Sequence, residues 1–153
     1  MTAPKDTIYL GIDYGDKRTG LAISDASGSI AGAYKTVQAG SSKATAELIV
    51  REIAEVQPVG LVVGYPVAPD GGAGERCAAV DRFVNALKAL TDLPIYRQQE
   101  RGSTQAANDV IHAHGKKVTR KRKKSGALDQ IAAAVILQRW LDNPQRFEDE
   151  DRQ

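Results

Sequence analysis

The sequence predicts an α/β protein: a mixed sheet, built from a three-strand antiparallel meander and two further parallel strands, with helices on both faces. Three observations lead there. Close to the N-terminus, three short segments with strand-like alternation are separated by turn residues. After Ser41 the apolar period changes from two to that of a helix. Helical segments then alternate with strand-like ones, the order that places helices over a sheet. With 153 residues, 42% of them hydrophobic and 26% charged, the chain has the size and balance of one globular domain.

The elements follow in order. In TIYLGID (7–13), Ile8, Leu10 and Ile12 alternate onto one face, which is a strand. Gly15 and Asp16 supply turn chemistry, and RTGLAISD (18–25) reads as the second strand. A second turn in DASGS leads to SIAGAYKTV (29–37), the third. Ser41 or Ser42 is placed to cap a helix in which Ile49, Ile53 and Val56 recur until Pro58. VGLVVG (59–64) is continuously apolar, as expected of a strand covered on both faces. The Pro- and Gly-rich loop YPVAPDGGAGE separates it from a second helix marked by Val80, Phe83, Val84 and Leu87. LPIYRQ (93–98) is a fifth strand, and Ala106, Ala107, Val110 and Ile111 mark a third helix. ALDQIAAAVILQRWL (127–141) is the last helix, ending before Asn143-Pro144. The expected order is β-β-β-α-β-α-β-α-α, with residues 1–141 as one domain and 142–153 as an acidic, unstructured tail.

Charge narrows the partners. The tail holds five acids against two arginines, net −3, so the formal +2 of the whole chain leaves +5 on residues 1–141. Most of it lies in GKKVTRKRKKSG, where Lys116, Lys117, Arg120, Lys121, Arg122, Lys123 and Lys124 stand without an acid among them. Such a run is either a solvated loop or a contact to a phosphate backbone. No apolar run reaches membrane-spanning length and MTAPKDTIYLG lacks the layout of a signal peptide, so a soluble cytoplasmic protein is expected. The single cysteine, Cys77, excludes an intramolecular disulfide framework and a cysteine-rich zinc site; it reads as a partly buried small residue. His112 and His114, two apart, point in different directions on a helix and cannot share a metal. Trp140 fits the core of the last helix. With only two Phe and five Tyr, an aromatic platform for single strands is not expected.

Three acids stand out. Asp13 ends the first strand, where sites form in open α/β sheets. Glu100 lies just after LPIYRQ. Asp129 shares a helix face with Ala133, Ile136 and Trp140, and an acid on an otherwise apolar stripe needs a partner. The plain alternatives are a strand-end turn for Asp13, a surface pair with Arg101 for Glu100, and a first-turn acid favoured by the helix dipole for Asp129. If the three converge, they cannot all stay ionised without a cation. Hard oxygen ligands without His or Cys favour magnesium or manganese, and a pair of such ions would serve phosphodiester hydrolysis. Lys17, Arg18 and the 116–124 run would hold the nucleic acid.

These residues also carry a resemblance. GIDYGDKRTGLAISD (11–25) resembles the opening signature of the YqgF/RuvX family, and LVVGYPVAPDGG (61–72), QERGSTQAA (99–107) and LDQIAAAVILQRWLD (128–142) resemble its later blocks, in order. The family is associated with Holliday junction resolution and with nucleolytic processing of the precursor of the small-subunit ribosomal RNA. The resemblance implies an RNase H-like fold, with Asp13, Glu100 and Asp129 as catalytic metal ligands. It implies that Gly15 and Gly20 keep the hairpin close to the site, and that Lys17 and Arg18 contact phosphate, with Arg101 beside the second acid. Two departures bear on activity. The family's Asp-Glu-Arg block, followed by a Leu-Thr-Thr-like stretch, here has Gln99 for the Asp, and Gly102 and Ser103 for the Leu and first Thr. Related bacterial junction resolvases carry a fourth acid one turn after the helix Asp, where this chain has Ala132 and Ala133.

The expected function is therefore a nuclease dependent on magnesium or manganese, with two ions, acting on precursor ribosomal RNA or branched DNA as a monomer or homodimer. A non-catalytic nucleic-acid or ribosome-assembly binder on a nuclease fold is the alternative. An actin-like ATPase, whose phosphate hairpin GIDYGDKRTG also resembles, would need a second such lobe.

Overall fold

The computed structural model describes residues 7–66, 74–100 and 126–144. The elements are β1 (Tyr9–Asp13), β2 (Arg18–Ser24), β3 (Ala31–Gln38), α1 (Ser42–Val56), β4 (Gly60–Pro66), α2 (Gly74–Lys88), β5 (Ile95–Glu100) and α3 (Ala127–Asp142). The helix expected around residues 106–111 lies outside the described residues, as do His112 and His114. So do Arg101, the basic run 116–124 and the tail beyond Pro144. Asp142, the first residue assigned to that tail, is still helical, and its Oδ1 accepts from Gln138 at 3.0 Å. Among the described residues no helix is long and apolar enough to cross a membrane.

The five strands form one sheet in the order β3-β2-β1-β4-β5. β1 pairs antiparallel with β2, and β2 with β3; β4 runs parallel to both β1 and β5. The meander and the two parallel strands are as expected. The parallel pairings require crossovers, which α1 and α2 provide.

Alternation along the strands divides the core into two layers. Leu10 and Ile12 of β1, Leu21, Leu61, Val63 and Ile95 pack beneath Ala46 and Ile49 of α1 and Val80, Phe83, Val84 and Leu87 of α2. On the other face Ala22 and Val62 meet Ala133, Ile136, Leu137 and Trp140 of α3. β4 is covered on both sides, which explains its unbroken apolar run. Trp140 is 1% exposed, with the rings of Tyr9 and Tyr96 each 4.8 Å from it.

Local chemistry sets the ends. Ser41, rather than Ser42, caps α1, its hydroxyl accepting from the Ala44 N–H at 3.1 Å. The helix closes on Gln57 in the left-handed region (φ 55°), immediately before Pro58. Cys77 is buried rather than partly so, because it lies on α2 facing β4 and its thiol donates to the Pro66 carbonyl at 2.9 Å. β5 runs on to Glu100, so that acid ends the strand rather than following it. Pairing with β4 continues through Pro66 opposite Glu100, which extends the strand past its apolar part.

The helix α3 packs closely on the sheet, and small residues allow it. A methyl group added at Gly11 would stand 2.7 Å from Leu137 Cβ, and one at Gly64 2.5 Å from Ile136 Cδ1. α3 is also tied to the edge strand. Thr36 donates to the Gly126 carbonyl at 2.7 Å and accepts from Gln130 at 3.2 Å, while Gln138 accepts from the Ala31 N–H at 2.9 Å.

Candidate active site

Asp13, Glu100 and Asp129 all lie on the α3 side of the sheet. Asp13 follows Gly11 by one alternation, and Gly11 lies under α3, so Asp13 takes the same face. On β5 the same alternation groups Glu100 with Tyr96, whose ring meets Trp140. Asp129 stands in the first turn of α3. Gly20 is the register partner of Asp13, and a methyl there would lie 2.0 Å from the Asp129 carbonyl oxygen and 2.9 Å from its Cβ. The backbone of Asp129 thus rests on the residue directly opposite Asp13, and only glycine leaves room for it. Gly15 acts differently. A methyl there would stand 2.2 Å from the Arg18 carbonyl oxygen, so glycine lets the turn between β1 and β2 close.

Glu100 is farther away. β4 runs between β1 and β5, which separates the strands of Asp13 and Glu100 by about 10 Å. Among the described residues no three Asp, Glu, His or Cys side chains stand close enough to hold one ion.

All three acids hold protons more tightly than ordinary carboxylates. Burial raises Asp13 to about 6, the Asp129 charge adds to this, Arg76 opposes it, and Glu100 raises it further. Burial also raises Glu100, against the pull of Arg139, and Asp129, against that of Arg18. Each of the last two has a guanidinium partner. Arg18 Nε lies 3.3 Å from Asp129 Oδ2, an ion pair without hydrogen-bond geometry, and Arg139 donates to Glu100 Oε2. Glu100 is 5% exposed, buried rather than on the surface, and its pairing with Arg101 lies outside the described residues.

Two arginines of the site were not anticipated. Arg76, on α2, reaches the hairpin from the opposite face, donating to the Tyr14 carbonyl and pairing with Asp16 at 3.4 Å. Its partners are some sixty residues away in sequence, and no local pattern announces them. Arg139 had a legible signal. Asp129, Ala132, Ile136 and Arg139 recur at helical spacing as regularly as the stripe ending in Trp140.

Of the expected phosphate contacts, Lys17 and Arg18 are exposed at the hairpin between β1 and β2. Ala132 and Ala133 are buried against the sheet, so the missing fourth acid is replaced by packing. Gln99 is exposed and, by alternation, takes the opposite side of β5 from Glu100.

A divalent cation can be weighed against these residues. Their donors are hard carboxylate oxygens. Glu100 Oε1 and Asp129 Oδ2 are buried and find no hydrogen-bond partner among the described residues. In donor chemistry the set fits magnesium or manganese.

The sheet order, the helices on both faces and the acids at the ends of β1, β5 and the start of α3 define an RNase H-like fold of the resolvase type. The fowlpox virus resolvase, solved with substrate Holliday junction DNA, shares it: TM-score 0.55, 15% identity, covering 89% of this chain and 97% of that one. Sequence goes further. The profile of the RuvX family, described as Holliday junction resolvase, matches residues 7–143. A relative from Syntrophus aciditrophicus, named as a pre-16S rRNA nuclease, is 35% identical and covers 87% of each chain. One of the same name from Paramagnetospirillum magneticum is 36% identical over 94% of this chain and 90% of its own. The chain belongs to the RuvX family.

Proposed function

We propose that this protein is a metal-dependent nuclease that hydrolyses phosphodiester bonds in structured nucleic acid, either precursor 16S ribosomal RNA or branched DNA, in the cytoplasm. One observation carries the reading. Three acids with raised proton affinity occupy one face of the sheet at the end of β1, the end of β5 and the start of α3. Their burial is costly and has no structural return, since apolar residues would pack there at less cost. Relatives named for pre-16S rRNA cleavage and for Holliday junctions supply the substrate classes.

Asp13, Glu100 and Asp129 would hold magnesium or manganese, which when bound activates water and stabilises the leaving oxygen. The chain's own residues do the rest. Lys17 and Arg18 hold phosphate from the hairpin tip, with Arg101 and the 116–124 run as further contacts by their charge. Arg76 fixes the turn that carries them. The apolar floor beneath α3 keeps Asp129 seated against β2. The products expected are a 5′-phosphate and a 3′-hydroxyl.

A second reading has its own observation. Glu100 and Asp129 each already carry an arginine counter-ion, and Gln99 adds no charge beside them. A non-catalytic binder would show that arrangement too. Purified wild type and Asp13→Asn, incubated with four-way DNA junctions, single-stranded RNA and precursor ribosomal RNA in magnesium, manganese or EDTA, separate the two. Cleavage that needs metal and disappears in the variant establishes the nuclease. Salt-sensitive binding without cleavage on every substrate establishes the binder.

A further inference from the structure

Glu100 is held in an unusual way. Its side chain is 3% exposed, one oxygen accepts from Arg139, and the other has no hydrogen-bond partner among the described residues. Arg139 itself is 44% exposed, so the pair spans the boundary between the interior and solvent. The position of Arg139 gives this contact a consequence. It stands ten residues beyond Asp129 on the same helix, about 15 Å along the axis. An arginine side chain recovers only part of that distance. A Glu100 carboxylate bonded to Arg139 therefore meets α3 toward its C-terminal end, whereas Asp129 stands in its first turn. Together with β4 lying between β1 and β5, this leaves three acids on one face of which, among the described residues, no three are near enough to share an ion.

Resting on the nuclease reading above, we propose that Arg139 is a positioning residue that holds Glu100 in a withdrawn, charge-balanced position, and that a divalent cation must displace its guanidinium to recruit Glu100. The displaced guanidinium, at the rim of the site, is then free to meet a backbone phosphate. The orphaned Oε1 is the oxygen already available to the cation, and Oε2 is the one that Arg139 must give up. In this arrangement an internal cation competes with the external one, so Arg139 sets how much metal the protein needs. Removing the competing charge tightens metal binding, whereas an ordinary structural ion pair would affect folding alone.

Manganese affinity decides the matter, measured on the purified full chain by electron paramagnetic resonance of free Mn²⁺ and by calorimetry, without nucleic acid. Arg139→Gln is expected to bind Mn²⁺ about tenfold more tightly than wild type, equivalent to about 1.4 kcal/mol. Arg139→Lys, keeping the charge without the fork, falls between them. In a Glu100→Gln background the advantage of Arg139→Gln must vanish, because the carboxylate it releases is gone. Circular dichroism confirms that each variant is folded, and Arg139→Met replaces Arg139→Gln if the latter is not. Unchanged Mn²⁺ affinity in Arg139→Gln, or a gain that survives in Glu100→Gln, overturns the proposal. Asp13→Asn separates the two failures. If wild type binds Mn²⁺ and Asp13→Asn does not while Arg139→Gln matches wild type, only the role of Arg139 falls. If no variant binds, the metal-dependent reading falls with it.

Discussion

Replacing Gly20 by alanine tests the geometry that seats Asp129 beside Asp13. The added methyl would stand 2.0 Å from the Asp129 carbonyl oxygen and 2.3 Å from its carbonyl carbon, both backbone atoms. Real Cβ contacts begin near 3.0 Å, so the first turn of α3 must lift by at least 1 Å. Overpacking of this kind costs about 1–3 kcal/mol, which lowers the melting temperature of a chain this size by roughly 2–12 °C. The cost to catalysis is larger, because a displacement near 1 Å at a reacting centre lowers rate by about 100-fold. Two neighbouring substitutions calibrate the effect. Gly64→Ala meets the end of the Ile136 side chain at 2.5 Å, which can turn aside, and Gly32→Ala meets nothing within 4 Å. Melting by circular dichroism and single-turnover cleavage should rank the damage Gly20→Ala, then Gly64→Ala, then Gly32→Ala. A Gly20→Ala protein that melts and cleaves like Gly32→Ala would show that α3 is not held at this height, and the account of the site would fail.

Two further outcomes follow from the charges. Asp13 has a folded pKa of about 6 against 3.8 in an unfolded chain, so folded protein retains a proton that unfolded protein loses. Stability therefore falls as pH rises from about 4 to about 6 and stays reduced above that. In EDTA, Asp13→Asn should be more stable than wild type at pH 7, by up to about 3 kcal/mol, and equal to it near pH 3.5; a less stable variant at pH 7 refutes the burial argument. Arg76→Ala removes the hairpin contacts to Tyr14 and Asp16 together with the cation that opposes the Asp13 shift. It should cost about 1 kcal/mol, since Arg76 is half-exposed, and move Asp13 titration, followed by carboxyl carbon NMR, to higher pH; unchanged titration would remove Arg76 from the site.

Most of the fold was legible because its signals are local. Strand alternation in β1, the serine cap and proline stop of α1 and the unbroken apolar run of β4 each follow from residues a few positions apart. The acids were legible for a similar reason. A carboxylate at a strand end or on an apolar helix stripe is anomalous where it stands, and the four family blocks marked the same three. Their counter-ions were less so. Arg76 and Tyr14 lie 62 positions apart, and Arg139 meets Glu100 only because α3 crosses to β5 over glycines that carry no side chain. Sequence alone singled out Asp13, Glu100 and Asp129 as anomalous where they stand, since alternation and helical spacing act over a few residues. Only the tertiary structure decided that Asp13 and Asp129 are neighbours while Glu100 is held apart. That depends on strand order, on the height of one helix above the sheet and on which guanidinium each carboxylate finds, and these are set by packing between distant parts of the chain.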